Sequence, residues 1–165
     1  MQKHPTTILA LDPGLRDLGF AVLAGKRLVA SGVRPLRLLQ RERRLGEARR
    51  LVRSWIRAYR PGALVLEATY GHPVESFASL HRLAGMARRL GKEKRLRVAT
   101  YAPQTVRKAL TGDGWASKRE LAQAIALRYP ALRVYLTQDR KWKERYFLNL
   151  FDAVALALHH QALSA

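Results

Sequence analysis

Short apolar runs alternate with amphipathic stretches along this chain, and nearly every run ends on a turn signal. Thr7-Ile8-Leu9-Ala10-Leu11 reads as a buried strand closed by Asp12-Pro13-Gly14. Leu18–Leu23 reads as a second strand, Ala24-Gly25-Lys26 as a tight turn and Leu28–Val33 as a third strand, which together make an antiparallel meander. From about Leu38 to Tyr59 the apolar period lengthens to that of a helix. Leu45, Ala48, Val52, Trp55 and Tyr59 share one face, and Arg43, Arg50, Arg53 and Arg57 take the opposite, solvated one. Arg60-Pro61-Gly62 stops that helix. Leu64–Glu67 reads as a fourth strand, Tyr70-Gly71-His72-Pro73 as a loop, and Glu75–Leu90 as a second helix with Gly91 as its C-terminal glycine. Leu96–Thr100 reads as a fifth strand and Thr105–Leu110 as a short helix. Ser117-Lys118-Arg119-Glu120 is a capping box that opens a helix to Tyr129. Residues 131–145 are polar and basic and predict a mobile loop with Trp142 exposed; the last helix is expected from about Arg145 to Leu163.

This element order predicts an α/β sheet. A helical crossover from the third strand sets the fourth parallel to the first and beside it. Ligand sites in such sheets open at the carboxyl ends of the strands, where the direction of spread reverses. Asp12 and Glu67 stand at those two ends. A third acid, Asp152, sits inside the apolar run Phe147–Leu158. A buried carboxylate is costly unless it is paired or bound to metal. Each acid alone could pair with one of the many arginines, but their convergence implies a divalent cation. Mg²⁺ takes oxygen ligands, and two ions about 3.5–4 Å apart can hold both oxygens of a phosphodiester displacement. Asn149, three residues before Asp152, shares its helix face. His159, seven after, is expected near the surface.

Charge then narrows the partner. Thirty-one Lys and Arg against twelve Asp and Glu give a formal charge of +19, where small domains typically carry about 2–8 in magnitude. Nucleic acid is the default partner for such a surface. The 165 residues fit one domain, 1–165, with a core of its own. The chain has no cysteine, which excludes disulfides and thiolate chemistry and suits a reducing, cytoplasmic setting. No apolar run is long enough to span a membrane, and the first residues do not open a signal peptide.

Several motifs, in order, resemble those of the RuvC Holliday-junction resolvases. Leu11-Asp12-Pro13-Gly14 with Gly19 is similar to the first motif and Leu66-Glu67-Ala68-Thr69-Tyr70 to the second. Tyr101-Ala102-Pro103-Gln104, Val106-Arg107-Lys108, Gly112-Asp113-Gly114 and Lys118 resemble the basic segment, and Phe151-Asp152-Ala153-Val154-Ala155-Leu156-Ala157 the last motif. The resemblance implies an RNase H-like α/β fold, with a five-stranded mixed sheet in the order 3-2-1-4-5 and helices on both faces. It implies a homodimer that nicks four-way DNA junctions in pairs, dependent on Mg²⁺ or Mn²⁺. Asp12, Glu67 and Asp152 would be metal ligands. Lys118 matches a lysine near the family's active site, Arg107 and Lys108 lie in the DNA-binding segment, and Tyr70 matches an aromatic that stacks on bases. One departure stands out. Where the family carries Asp or His as a fourth ligand, this chain has Asn149, its only asparagine. An amide oxygen can bind a hard cation but brings no charge.

The same residues would serve a related nuclease acting on flaps or other branched DNA. A junction-binding protein with chemistry weakened at Asn149 is the remaining alternative. Phe77, Leu80, Leu83, Met86 and Leu90 widen the apolar stripe of the second helix and are compatible with either a dimer contact or plain core packing.

Overall fold

Alternation along the strands decides which side chains meet which helices. The computed structural model describes residues 6–14, 16–37, 39–69 and 75–165. The strands are β1 (Thr7–Pro13), β2 (Asp17–Ala24), β3 (Arg27–Pro35), β4 (Ala63–Glu67) and β5 (Arg97–Tyr101). The helices are α1 (Arg41–Tyr59), α2 (Glu75–Glu93), α3 (Pro103–Thr111), α4 (Lys118–Arg128) and α5 (Lys141–Ser164). The five strands form one sheet in the order β3-β2-β1-β4-β5. β1–β2 and β2–β3 are antiparallel, whereas β1–β4 and β4–β5 are parallel. The expected order and mixed pairing are therefore observed.

Odd and even strand residues feed two separate cores. Leu9 and Leu11, with Leu64 and Leu66, pack against Val52, Trp55 and Ile56 of α1 and Leu83, Met86 and Leu90 of α2. Phe20 stacks on Trp55 with ring centroids 4.1 Å apart. Ile8 and Ala10, with Ala21, Leu23, Ala63 and Val65, face α5, and Val106, Leu121 and Ile125 complete that layer. Helices thus cover both faces. Leu83, Met86 and Leu90 are spent in this core, so the apolar stripe of α2 is packing surface at those positions; the side chain of Phe77 lies outside the described residues.

The α5 layer meets the sheet closely at Gly19. α5 is buried without interruption from Leu150 to His160, so it is apolar all round rather than along one stripe. Small residues allow this approach: Ala10, Ala21 and Ala63 on the strands meet Ala153, Ala155 and Ala157 on the helix. Gly19 is the tightest point. A methyl group there would overlap the main-chain carbonyl of Asn149, lying 2.8 Å from its carbon. Gly19→Ala is expected to push α5 off the sheet and cost about 1–3 kcal/mol, as overpacked cores do. Thermal unfolding of the variant checks this.

Two local expectations are corrected. Residues 131–145 are not a loop throughout. Pro130–Leu136 forms a 3-10 helix with Leu132 buried, and α5 starts at Lys141, earlier than expected. The Tyr135 ring packs at a tilt against Phe147, centroids 4.6 Å apart, which ties the segment to α5. Trp142 is exposed, as expected. Gly91 does not end α2; the helix runs on to Glu93, and Arg95 takes the left-handed conformation at φ 57°. Gly91 instead lets α2 lie on the sheet, since a Cβ there would sit 2.8 Å from both Leu64 and Val98 side chains.

Candidate active site

Three elements far apart in the chain bring three acids to one end of the sheet. Asp12 has the parity of Ile8 and Ala10, and Glu67 that of Ala63 and Val65, so both point toward α5. The parallel register pairs Leu11 with Leu66, which sets Asp12 and Glu67 next to each other at the carboxyl ends of β1 and β4. Asp152 comes down from α5 onto the same spot. Asp12 and Asp152 are buried, and Glu67 is half-buried.

Lys118 supplies a cation that pairs directly within this group. The capping box is formed as expected: Ser117 Oγ accepts from the Glu120 N–H, and the Glu120 carboxylate accepts from the Ser117 N–H. That cap fixes the first residue of α4, and Lys118 donates to Asp152 Oδ2 at 2.6 Å. The pair straddles the surface, with the Asp152 side chain 7% exposed and the Lys118 side chain 48%. Arg107, on α3, lies close enough to Glu67 to favour its ionised form. Glu67, Asp152, Arg107, Val106, Pro103 and Leu121 line one shallow cavity.

Electrostatics confirm that the acids sense each other. Burial raises the Asp12 pKa well above its ordinary value, and the charges of Asp152 and Glu67 add to the rise. Glu67 is pushed up to about 7 by burial and by Asp152, with Lys118 and Arg107 pulling the other way. Burial works against the Lys118 charge, but Asp152, Asp12 and Glu67 outweigh it and its pKa rises. Among the described residues no three His, Asp or Glu side chains close a metal cage by themselves. The donor set nevertheless fits a hard divalent cation. It offers only oxygens, and it holds more negative charge than one ammonium neutralises.

The remaining candidates are placed as follows. Asn149 is half-buried one turn before Asp152, its backbone seated on Gly19, which pairs with Asp12. Lys108 is exposed near the C-terminal end of α3, close to Gly114 and one residue round from Arg107. Tyr70 lies outside the described residues. His159 corrects an expectation, since it is buried rather than at the surface. It stands edge-on to Tyr101 at 4.7 Å, and its neighbour His160 shares a 2.7 Å hydrogen bond with the Tyr101 hydroxyl. Burial lowers the pKa of both histidines. Tyr101 pairs with Glu67 across β4–β5, so this cluster braces the strand that presents Glu67. Nothing local marks it in the sequence, because Tyr101 and His160 are far apart in the chain.

Comparison with known proteins decides the family. The sequence pattern described as Crossover junction endodeoxyribonuclease RuvC matches residues 8–160. The chain belongs to the RuvC family. Among RuvC relatives, the one from Bacteroides fragilis is 33% identical over 124 residues, covering 72% of this chain and 66% of the relative, a little under two thirds of its length. RuvC of Pseudomonas aeruginosa PAO1 is 31% identical over 160 residues, or 94% of this chain and 86% of the relative. In structure, Thermus thermophilus RuvC in complex with Holliday junction substrate superposes with a TM-score of 0.76 at 24% identity, covering 96% of this chain and 94% of that one. That likeness establishes that the chain has the fold of that RuvC. RuvC proteins are metal-dependent nucleases. Among the described residues, no helix is long and apolar enough to cross a membrane.

Proposed function

We propose that this chain is a cytoplasmic, structure-selective DNA endonuclease that resolves four-way junctions by paired, Mg²⁺-dependent phosphodiester hydrolysis, with Mn²⁺ as a substitute. The observation that carries this reading is the convergence of Asp12, Glu67 and Asp152, from β1, β4 and α5, with Lys118 among them, in a RuvC-family chain of charge +19.

Asp12, Glu67 and Asp152 would hold the metal, with the Asn149 amide oxygen as a neutral fourth donor. The bound metal supplies Lewis acidity at the scissile phosphate. The chain's own cations do the rest. Arg107 offers a planar fork to a phosphate oxygen. Lys118 is a mobile point charge that can leave Asp152 for the phosphate when the carboxylates are otherwise neutralised. Lys108 holds the strand beyond the cavity, and Tyr70 stacks on a base near the crossover. Two symmetric nicks need two sites, and one chain contributes one Asp12–Glu67–Asp152 group. A homodimer therefore follows from the reaction, independently of the α2 stripe.

Cleavage of a labelled four-way junction tests the reading, beside duplex, flap and single-stranded controls, with Mg²⁺, Mn²⁺ or EDTA. Symmetric metal-dependent nicks in the junction alone are expected. Binding should weaken steeply between low and physiological salt, since each neutralised phosphate releases counterions. Preferential cutting of the flap would replace the substrate while keeping the site. Tight binding without cutting would favour the weakened-chemistry reading and point to Asn149.

Asn149 carries its own prediction. Asn149→Asp adds a fourth negative charge one turn from Asp152 and is expected to tighten Mg²⁺ binding about 10-fold, within the range of changes to a metal's ligand sphere. Calorimetric metal titration reads this directly, and activity at limiting Mg²⁺ should rise in parallel. An unchanged titration would place Asn149 outside the metal's ligands.

A further inference from the structure

The most exposed large hydrophobic side chain described stands three residues before Lys118. Trp115 is 82% exposed. Single exposed apolar residues are ordinary on a protein surface, but an indole is a large apolar group to leave in water, and this one is held on a rigid mount. α3 ends at Gly112 in the left-handed conformation, φ 82°, whose N–H donates to the Lys108 carbonyl at 2.9 Å. The Asp113 N–H then donates to Thr111 Oγ1 at 3.2 Å. The Trp115 N–H donates to the Asp113 carboxylate at 2.8 Å, and the Ala116 N–H to the Asp113 carbonyl at 3.3 Å. Ala116 is buried, and Ser117 caps α4. Both flanks of Trp115 are therefore fixed while its ring projects into solvent.

Cations of the acidic site flank the Trp115 backbone on both sides. Three residues of chain span at most about 10 Å, so the backbone of Trp115 lies within that distance of the residue whose ammonium holds Asp152. On the other side the loop packs onto α3, where a Cβ on Gly114 would lie 3.7 Å from that of Lys108. Arg107 is the next residue, on the cavity wall. An aromatic plate between phosphate-binding cations is the arrangement that single-stranded nucleic acid binds, with charge tracking the backbone and the ring taking a base.

We propose that Trp115 is a stacking platform for an unpaired nucleobase of the DNA strand entering the Asp12–Glu67–Asp152 site, an inference that rests on the nuclease reading above. In a fully paired duplex each base face is covered by its neighbours. At a branch point bases can open, and an aromatic face beside the cutting site favours the opened form. Trp115 thus contributes to selection of branched over continuous DNA. It is a positioning residue, since it holds the strand and touches no reacting atom.

The test compares Trp115→Ala and Trp115→Phe with the wild-type chain. Binding is measured in EDTA by fluorescence anisotropy on four-way junctions carrying 2-aminopurine at successive positions around the crossover. Wild type is expected to quench 2-aminopurine through stacking at one position that survives Tyr70→Ala, apart from any position quenched by Tyr70. Trp115→Ala should lose that quench and bind about 10-fold more weakly, and Trp115→Phe should keep most of both. Because an indole carries no charge, the dependence of binding on salt should be the same for Trp115→Ala as for wild type. Lys108→Ala, by contrast, should reduce that slope by about one. Melting temperatures of both Trp115 variants should match wild type.

Three results overturn the proposal: Trp115→Ala that binds and quenches like wild type, Trp115→Phe as weak as Trp115→Ala, or a loss that comes with a shallower salt slope or a lower melting temperature. A wild-type chain that neither binds nor cuts the junction overturns the nuclease reading itself. Equal cutting and binding by wild type and Trp115→Ala leaves that reading intact and removes only the stacking role.

Discussion

Asp152→Asn is expected to reduce junction cleavage by about 1,000-fold or more while leaving the fold and metal-free junction binding in place. The estimate follows the usual loss when a charged group acting on a phosphoryl transition state is removed. Breaking a buried ion pair ordinarily costs about 3–5 kcal/mol, because the surviving charge is stranded. Here the survivor is Lys118, whose side chain is 48% exposed and still faces Asp12 and Glu67. Asn also keeps the shape of Asp inside the α5 layer. The variant should therefore melt close to wild type. A second readout isolates the electrostatic role. Asp152 is, after burial, the main cause of the raised Glu67 pKa of about 7. With Asp152 neutral, the Glu67 titration followed by carboxyl ¹³C NMR should move down toward the ordinary glutamate value. Cleavage at the wild-type rate would remove Asp152 from the active site, and an unmoved Glu67 midpoint would show that burial alone sets it.

How much of this site could be read from the sequence depends on the range of the forces involved. The parallel crossover rule is enough to set Asp12 and Glu67 side by side at adjacent strand ends, and strand parity, read in the structure, turns both toward α5. The all-round apolar character of α5 likewise marks it as buried, which is why Asp152 stands out. Gly91 shows where local rules fail. A glycine near a helix end resembles a cap, but here the missing Cβ is required by Leu64 and Val98, contributed by other elements. The 3-10 segment after Pro130 fails for the same reason, since the partners that bury Leu132 and hold Tyr135 come from other elements, Phe147 of α5 among them. Spacing along α5 puts His159 on the face of Asp152 without showing its depth, and its edge-on contact with Tyr101 comes from a strand far away in the chain. The mount of Trp115 depends on two side-chain oxygens, of Thr111 and Asp113, capturing backbone N–H groups. A Gly-Asp-Gly-Trp run before a capping box was the available signal, and it marks a turn without revealing that the turn is rigid.

Without metal, Glu67 is expected to cost the protein stability as pH rises from about 4.5 to about 7. Glu67 ionises near 4.5 in the unfolded chain and near 7 in the folded one. Below that window both states hold the proton and the group contributes nothing. Within it the unfolded state releases the proton while the folded state keeps it, so the unfolded state is favoured progressively, with the full deficit above about 7. At 1.36 kcal/mol per pH unit the deficit is about 3 kcal/mol, and Asp12, raised for the same reasons, acts in the same direction. His159 and His160, whose pKa burial lowers, act the other way and gain stability as pH rises through the ordinary imidazole range, so the Glu67 share is read against a variant that lacks it. Lys118 does not offset the Glu67 deficit. Its raised pKa contributes stability that is fully present below its unfolded value near 10.5 and is lost only at higher pH. A divalent cation removes the deficit by binding the ionised carboxylates, so its stabilisation should grow with pH. Relative to Glu67→Gln, melting of the wild type in EDTA should fall by about 6–12 °C between pH 5 and pH 8. Mg²⁺ should restore most of that at pH 8 and little at pH 5. Glu67→Gln should flatten the EDTA profile and lose most of the Mg²⁺ response. An EDTA profile equally steep in Glu67→Gln would place the pH dependence elsewhere in the chain and separate Glu67 from the metal-binding acids.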